Sequence, residues 1–81
     1  MELDPVRVGE LMNIRMLGYN ISNEMRMNRV TYRELGRRVN KEHSVIANHI
    51  LEPNKITVQE LLRVAAALGI DWRKLMEGVD E

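Results

Sequence analysis

No cysteine occurs anywhere in this 81-residue sequence, and with it go disulfides, thiolate zinc sites and thiol nucleophiles. An intracellular location is the default expectation. Phenylalanine is also absent, and aromatic residues make up only 4% of the chain, so the stacking platform that single-stranded RNA sites use is missing. No apolar run approaches the roughly 20 residues needed to span a bilayer, and the N-terminus lacks the arrangement of a secretory signal. There is no phosphate-cradling glycine loop and no metal-ligand spacing. His43 and His49 stand six apart, on different sides of one helix, which rules out easy joint chelation. Ser44 beside His43 has no third group to orient it, so a nucleophilic site is not expected. The chain reads as non-catalytic, with no cofactor and no metal. Its formal net charge is zero, which argues at first against a nucleic-acid partner.

What is present is a series of well-marked helices with no repeat or linker between them, so residues 1–81 read as one small domain. Asp4 and Pro5 suit an N-cap and first helical position, or else Val6 and Val8 belong to an extended arm over residues 1–9. From about residue 10 to 28, Leu11, Ile14, Leu17, Ile21 and Met25 follow helical spacing and predict the first long helix. A second stripe, Met12, Met16 and Tyr19, lies about 100° round the same helix. Either the methionines fill gaps in the core or the stripe is a surface for a second protomer or a protein partner. Thr31 and Glu34 have capping-box spacing, with Val30 and Leu35 as a hydrophobic staple. Leu35, Gly36 and Val39 then form an apolar face whose small middle residue admits a closely crossing helix. Asn40, which tolerates positive φ, ends this helix. Val45, Ile46, Ile50 and Leu51 predict the buried face of the next one, with His43, Ser44, Ala47 and Asn48 on its polar side. His49, near the buried face, reads as a packed or hydrogen-bonded core histidine. Pro53 ends that helix. Thr57 and Glu60 repeat the capping box, and Ile56 and Leu61 repeat the staple. Val58, Leu61, Leu62, Ala65 and Leu68 form the buried face of the following helix, which Gly69 ends. A last short helix starts at Asp71, stapled by Ile70 and Leu75. Trp72 is read there as a lid on the core or as a dimer contact, and Met76 is the other large apolar residue. The supporting helices together span residues 57–77, and the fold class is an all-α compact bundle of about five helices.

The charges are unevenly placed. Arg26, Arg29, Arg33, Arg37, Arg38 and Lys41 fall within sixteen residues opposed only by Glu34, while Glu2, Asp4, Glu10, Glu77, Asp80 and Glu81 gather towards the ends. Such a run is either a solvated face or a phosphate-facing one.

The stretch over residues 31–51, TYRELGRRVNKEHSVIANHIL, continued by ITVQELLRVAAALG to Gly69, resembles the lambda-repressor-like (Cro/cI-type, XRE-type) helix-turn-helix family. Gly36 stands where Ala is usual and Asn40 where Gly is usual, both steric near-equivalents, and Glu52 and Pro53 replace a turn that often contains Gly. The resemblance implies a sequence-specific double-stranded DNA-binding regulator, a repressor of phage or mobile-element type. It also implies a homodimer in the cytoplasm of a prokaryotic cell or phage-infected host, associated with the nucleoid. The second helix of the motif would enter the major groove. Carried onto this sequence, Glu42, His43, Ser44, Ala47 and Asn48 become the base-contacting candidates, with Asn48 suited to adenine and Glu42 to cytosine. Arg29, Thr31, Arg33, Arg37, Lys41, Asn54 and Lys55 become the phosphate contacts, helped by the dipole of the helix that Thr31 starts. The dimer or partner surface is sought at Met12, Met16, Tyr19, Trp72 and Met76. Two other readings stay open: the DNA-binding antitoxin of a toxin–antitoxin pair, and a protein-interaction module on the same fold without a DNA role.

Overall fold

A computed structural model of the chain describes residues 13–79. The described residues fold into five α-helices with no strand: α1 (Arg15–Met27), α2 (Tyr32–Val39), α3 (His43–Leu51), α4 (Val58–Leu68) and α5 (Trp72–Leu75), with a 3-10 turn at Pro53–Lys55. The expected arm and its Asp4, Pro5, Val6 and Val8, together with Leu11 and Met12, lie outside the described residues.

Three of the five helix starts follow from local capping chemistry. At α2 and α4 the hydroxyls of Thr31 and Thr57 accept the backbone N–H of Glu34 and Glu60, at 3.0 and 3.1 Å, and at α5 Asp71 Oδ1 accepts from the N–H of Arg73. At α3, Glu42 stands in the N-cap position in extended conformation without a side-chain bond. The helix expected from residue 10 does not extend through Asn13, whose φ of 40° is left-handed; α1 begins at Arg15. The last helix is also shorter than expected, ending at Leu75. Only half of each capping box forms. The carboxylates of Glu34 and Glu60 do not turn back to the caps but bind Arg37 with Arg38 and His49, respectively. A stronger partner across the fold, or one turn along it, outcompetes a backbone N–H that water can satisfy.

The core is built from Leu17, Ile21 and Met25 of α1, Leu35 and Val39 of α2, Ile46 and Ile50 of α3, Leu61, Val64, Ala65 and Leu68 of α4, and Leu75 and Val79 at the C-terminal end. Val30, Ile56 and Ile70, each just before a cap, pack against it. Val58 and Leu62, expected on the buried face of α4, are exposed. The core-facing set on α4 is 61, 64, 65 and 68, spaced i, i+3, i+4, i+7; Val58 and Leu62 sit on one flank of that stripe. Leu51 is likewise exposed rather than buried, because it lies about 140° round α3 from Ile46.

Two glycines set how closely the helices meet. A β-carbon on Gly18 would overlap the Ile50 carbonyl and lie 2.9 Å from Pro53 Cγ, so α1 crosses the end of α3 with backbone against backbone. A β-carbon on Gly36 would overlap the Lys41 carbonyl, so Ala is not a near-equivalent at this position. Between these residues, Asn40 takes the left-handed conformation (φ 59°, ψ 49°) and Lys41 donates its N–H to the Gly36 carbonyl at 2.8 Å. The C-terminal end is tied to α1 by the Asn20 side-chain amide, which donates to the carbonyls of Leu75 and Glu77 at 2.8 and 2.9 Å. Lys74 and the buried Glu24 approach to 3.8 Å on the same side.

Alanine in place of an interior helical glycine ordinarily gains about 1 kcal/mol. At Gly18 the opposite is expected: Gly18→Ala should cost about 1–3 kcal/mol, because the atom it meets is backbone and cannot rotate away. Urea denaturation measures this directly, and a midpoint that rises would show that α1 and α3 do not approach so closely.

Candidate functional site

α3 is held by one face and open on the other. Ile46 and Ile50 are buried, whereas Glu42, His43, Ser44 and Asn48 are exposed and Ala47 is half-buried. Among the described residues the side chains of Glu42, His43, Ser44 and Asn48 make no hydrogen bond. Their donors and acceptors point to water. Ser44, Ala47 and Asn48 stand at i, i+3 and i+4 and so form a single stripe.

α2 packs beside α3 and contributes the cations. Thr31, Arg33, Arg37 and Lys41 are exposed, and Arg37, Lys41 and Glu42 line a shallow hollow at the turn between the helices. The six-cation run is less available than its sequence implies. Glu34 accepts from Arg37 through both guanidinium nitrogens, at 3.0 and 2.6 Å, and from Arg38 at 3.1 Å. Those bonds hold the Glu34 carboxyl down to about 2. Because this group is depressed in the folded chain, its contribution is complete above its ordinary value and is lost only as pH falls through about 2. Arg38 is further spent on the Ala67 carbonyl at the end of α4, at 2.9 Å, and serves as a tie between α2 and α4. Arg29 and Arg33 form no ion pair within 4.0 Å among the described residues. At the far end of α3, Asn54 and Lys55 are exposed on the 3-10 turn, with Lys55 3.6 Å from Glu52.

Arg29 is unusual in its backbone. α1 ends with the Val30 N–H bonded to the Met25 carbonyl at 2.8 Å and the Arg29 N–H to Arg26 at 3.3 Å. This paired closure needs its penultimate residue left-handed, and Arg29 has φ 57°. α4 ends in the same way, with Gly69 at that place. An arginine there costs about 1 kcal/mol that glycine does not.

His49 anchors α3 from its inner side. Its Nδ1 lies 2.9 and 2.8 Å from the two carboxylate oxygens of Glu60, which is 5% exposed. The sequence indicated a hydrogen-bonded core histidine. It did not identify the partner, since Glu60 reads as a capping residue. This pair fixes the rotation of α3 about its axis and thereby sets which residues face outward.

Of the expected partner surface, Met16 and Met76 are half-buried and packed against the core, with Met16 beside Gly78. They fill gaps as flexible thioethers do and do not form an exposed patch. Tyr19 is exposed. So is Trp72, which carries the Arg73 guanidinium 5.8 Å from its ring centre and therefore does not act as a core lid. Among the described residues no three potential metal ligands cluster, and no helix is long and apolar enough to cross a membrane. Comparison with protein-family models, curated proteins and solved structures returned no match.

Two stability measurements follow from this geometry. His49→Ala strands a buried carboxylate and is expected to cost about 3 kcal/mol, against about 1 kcal/mol or less for Glu60→Gln, which keeps a hydrogen-bonding group without the charge. Equal losses in urea denaturation would mean that the pair is held by packing alone. Arg29→Gly is expected to stabilise the chain by roughly 0.5–1 kcal/mol. A lower midpoint for that variant would show that the arginine side chain itself supports the turn.

Proposed function

We propose that this chain is a sequence-specific double-stranded DNA-binding domain of the lambda-repressor-like helix-turn-helix kind, acting as a transcriptional repressor. The observation that carries this reading is the outer face of α3, whose polar side chains have no partner among the described residues while its inner face is fixed by Ile46, Ile50 and the bond from His49 to Glu60. A helix presented in that way, with a second helix packed across it, is the arrangement that fits a major groove.

In this reading α3 lies in the groove with Ser44, Ala47 and Asn48 towards the base edges, and His43 and Glu42 enter at its N-terminal end. Asn48 pairs bidentately with an adenine. Arg29, Thr31, Arg33 and Lys41 hold the backbone at the start of α2 and at the turn, Asn54 and Lys55 hold it at the other end of α3, and the N-terminal amides of α2 favour a phosphate. Arg37 reaches a phosphate only by leaving Glu34. Operators are palindromic and are read by a homodimer, with Tyr19 and Trp72 as the exposed members of its candidate surface. A phage or mobile-element repressor and the DNA-binding half of a toxin–antitoxin pair share these features.

One observation favours a second reading, a protein-interaction module without a DNA role. Glu34 and the Ala67 carbonyl between them occupy Arg37 and Arg38, leaving the charge of this surface modest.

Selection from random duplex DNA at two salt concentrations decides between these readings. The wild type is expected to enrich a palindrome, Asn48→Ala to lose preference at one position per half-site at a cost of about 1–3 kcal/mol, and Arg33→Ala to weaken all sequences alike with a salt slope smaller by about one. Enrichment of nothing, with weak binding that vanishes as salt rises, would favour the protein-interaction module.

A further inference from the structure

The outward stripe of α3 does not stop at Asn48. Residues 44, 47, 48 and 51 stand at i, i+3, i+4 and i+7, so Leu51 continues the same face by one more step. It is 81% exposed, more than any other large apolar side chain among the described residues, although the adjacent Ile50 is buried. Leu51 therefore contributes little to the core and stands uncovered on the outward face. The remaining members of the stripe are small or hydrogen-bonding, so an apolar group placed here selects against a purely polar counterpart.

On the major-groove edges of a duplex the exposed apolar group is the C5-methyl of thymine. We infer that Leu51 is a specificity-determining residue that packs against a thymine methyl in each half-site, extending the reading face beyond Asn48. Three helical residues advance about 4.5 Å along α3, a little more than the roughly 3.4 Å between successive bases on one strand. The thymine accordingly lies one or two base pairs from the position that Asn48 reads. Asn54 and Lys55, exposed on the following turn, stand at the same end of α3 and hold the backbone that flanks this base pair. The inference rests on the proposed DNA-binding function and adds a residue and a base to it.

The test replaces each thymine of the selected site, one at a time, by deoxyuridine, which lacks only the methyl group, and measures binding of wild type and Leu51→Ala. Because Leu51 is exposed, the alanine variant is expected to keep the fold, and its urea midpoint is checked alongside. Wild type should lose roughly fourfold at one thymine near the Asn48 position, the effect of one methyl-sized group, and Leu51→Ala should be indifferent to that same exchange. If wild type selects a site but both proteins respond alike to every uracil, the inference is overturned while the DNA-binding function stands. If no sequence is selected at all, both fall together.

Discussion

The Lys41 carbonyl lies against Gly36 in the space that a β-carbon would occupy, and the outward face of α3 depends on that contact. The approach lets the chain turn within three residues, Asn40 absorbs the reversal in a left-handed conformation, and α3 leaves the turn packed across α2. A side chain at residue 36 would push the two axes apart. The face bearing Ser44, Ala47 and Asn48 would then no longer be held in a fixed relation to Arg33 and Lys41. Gly18 plays the corresponding part at the other end of α3, where the Ile50 carbonyl and Pro53 close on α1. The proposed reading helix is thus seated at both ends by backbone contacts that no rotamer change can loosen, and its rotation is set between them by His49 and Glu60.

Those two carboxylates, Glu34 and Glu60, show how much tertiary surroundings decide. Both occupy the fourth position of a Thr-x-x-Glu pattern, and in both the threonine caps its helix as the pattern implies. Their own carboxylates diverge: one remains at the surface and gathers arginines, while the other is drawn inside to an imidazole. The difference lies in which neighbours the fold brings near. A carboxylate beside two guanidinium groups stays partly hydrated, whereas one facing α3 is enclosed and must be matched.

The same distinction separates what was legible in the sequence from what was not. Helix starts at Thr31, Thr57 and Asp71, the turn at Asn40, the stop before Pro53 and the core roles of Leu17, Ile21, Leu35 and Ile46 are local matters of capping, φ preference and spacing, and they read directly. The roles of Gly18, Glu24, Val64 and Val79 depend on elements far away in the chain and carried no local mark. Leu51, Val58 and Leu62 show the limit of counting apolar residues at helical spacing: each sits on the flank or far side of a stripe whose centre only packing defines. The candidate face on α3 was legible because its residue types are small and polar. The reduction in available positive charge was not, since pairing of Arg38 with both Glu34 and Ala67 joins α2 to α4.

Asn20 has a consequence for how the molecule transmits mechanical load. Its single amide grips one carbonyl at the end of α5 and one on the turn after it, α5 being a four-residue helix too short to hold itself. A pull applied near residues 76–79 is therefore passed into the middle of α1, and into α4 as well, against which α5 also packs. α2 joins that second path through Arg38, which bonds the Ala67 carbonyl of α4. A load entering at the described C-terminal turn is thus shared between α1 and α4 and is not carried by a single helix.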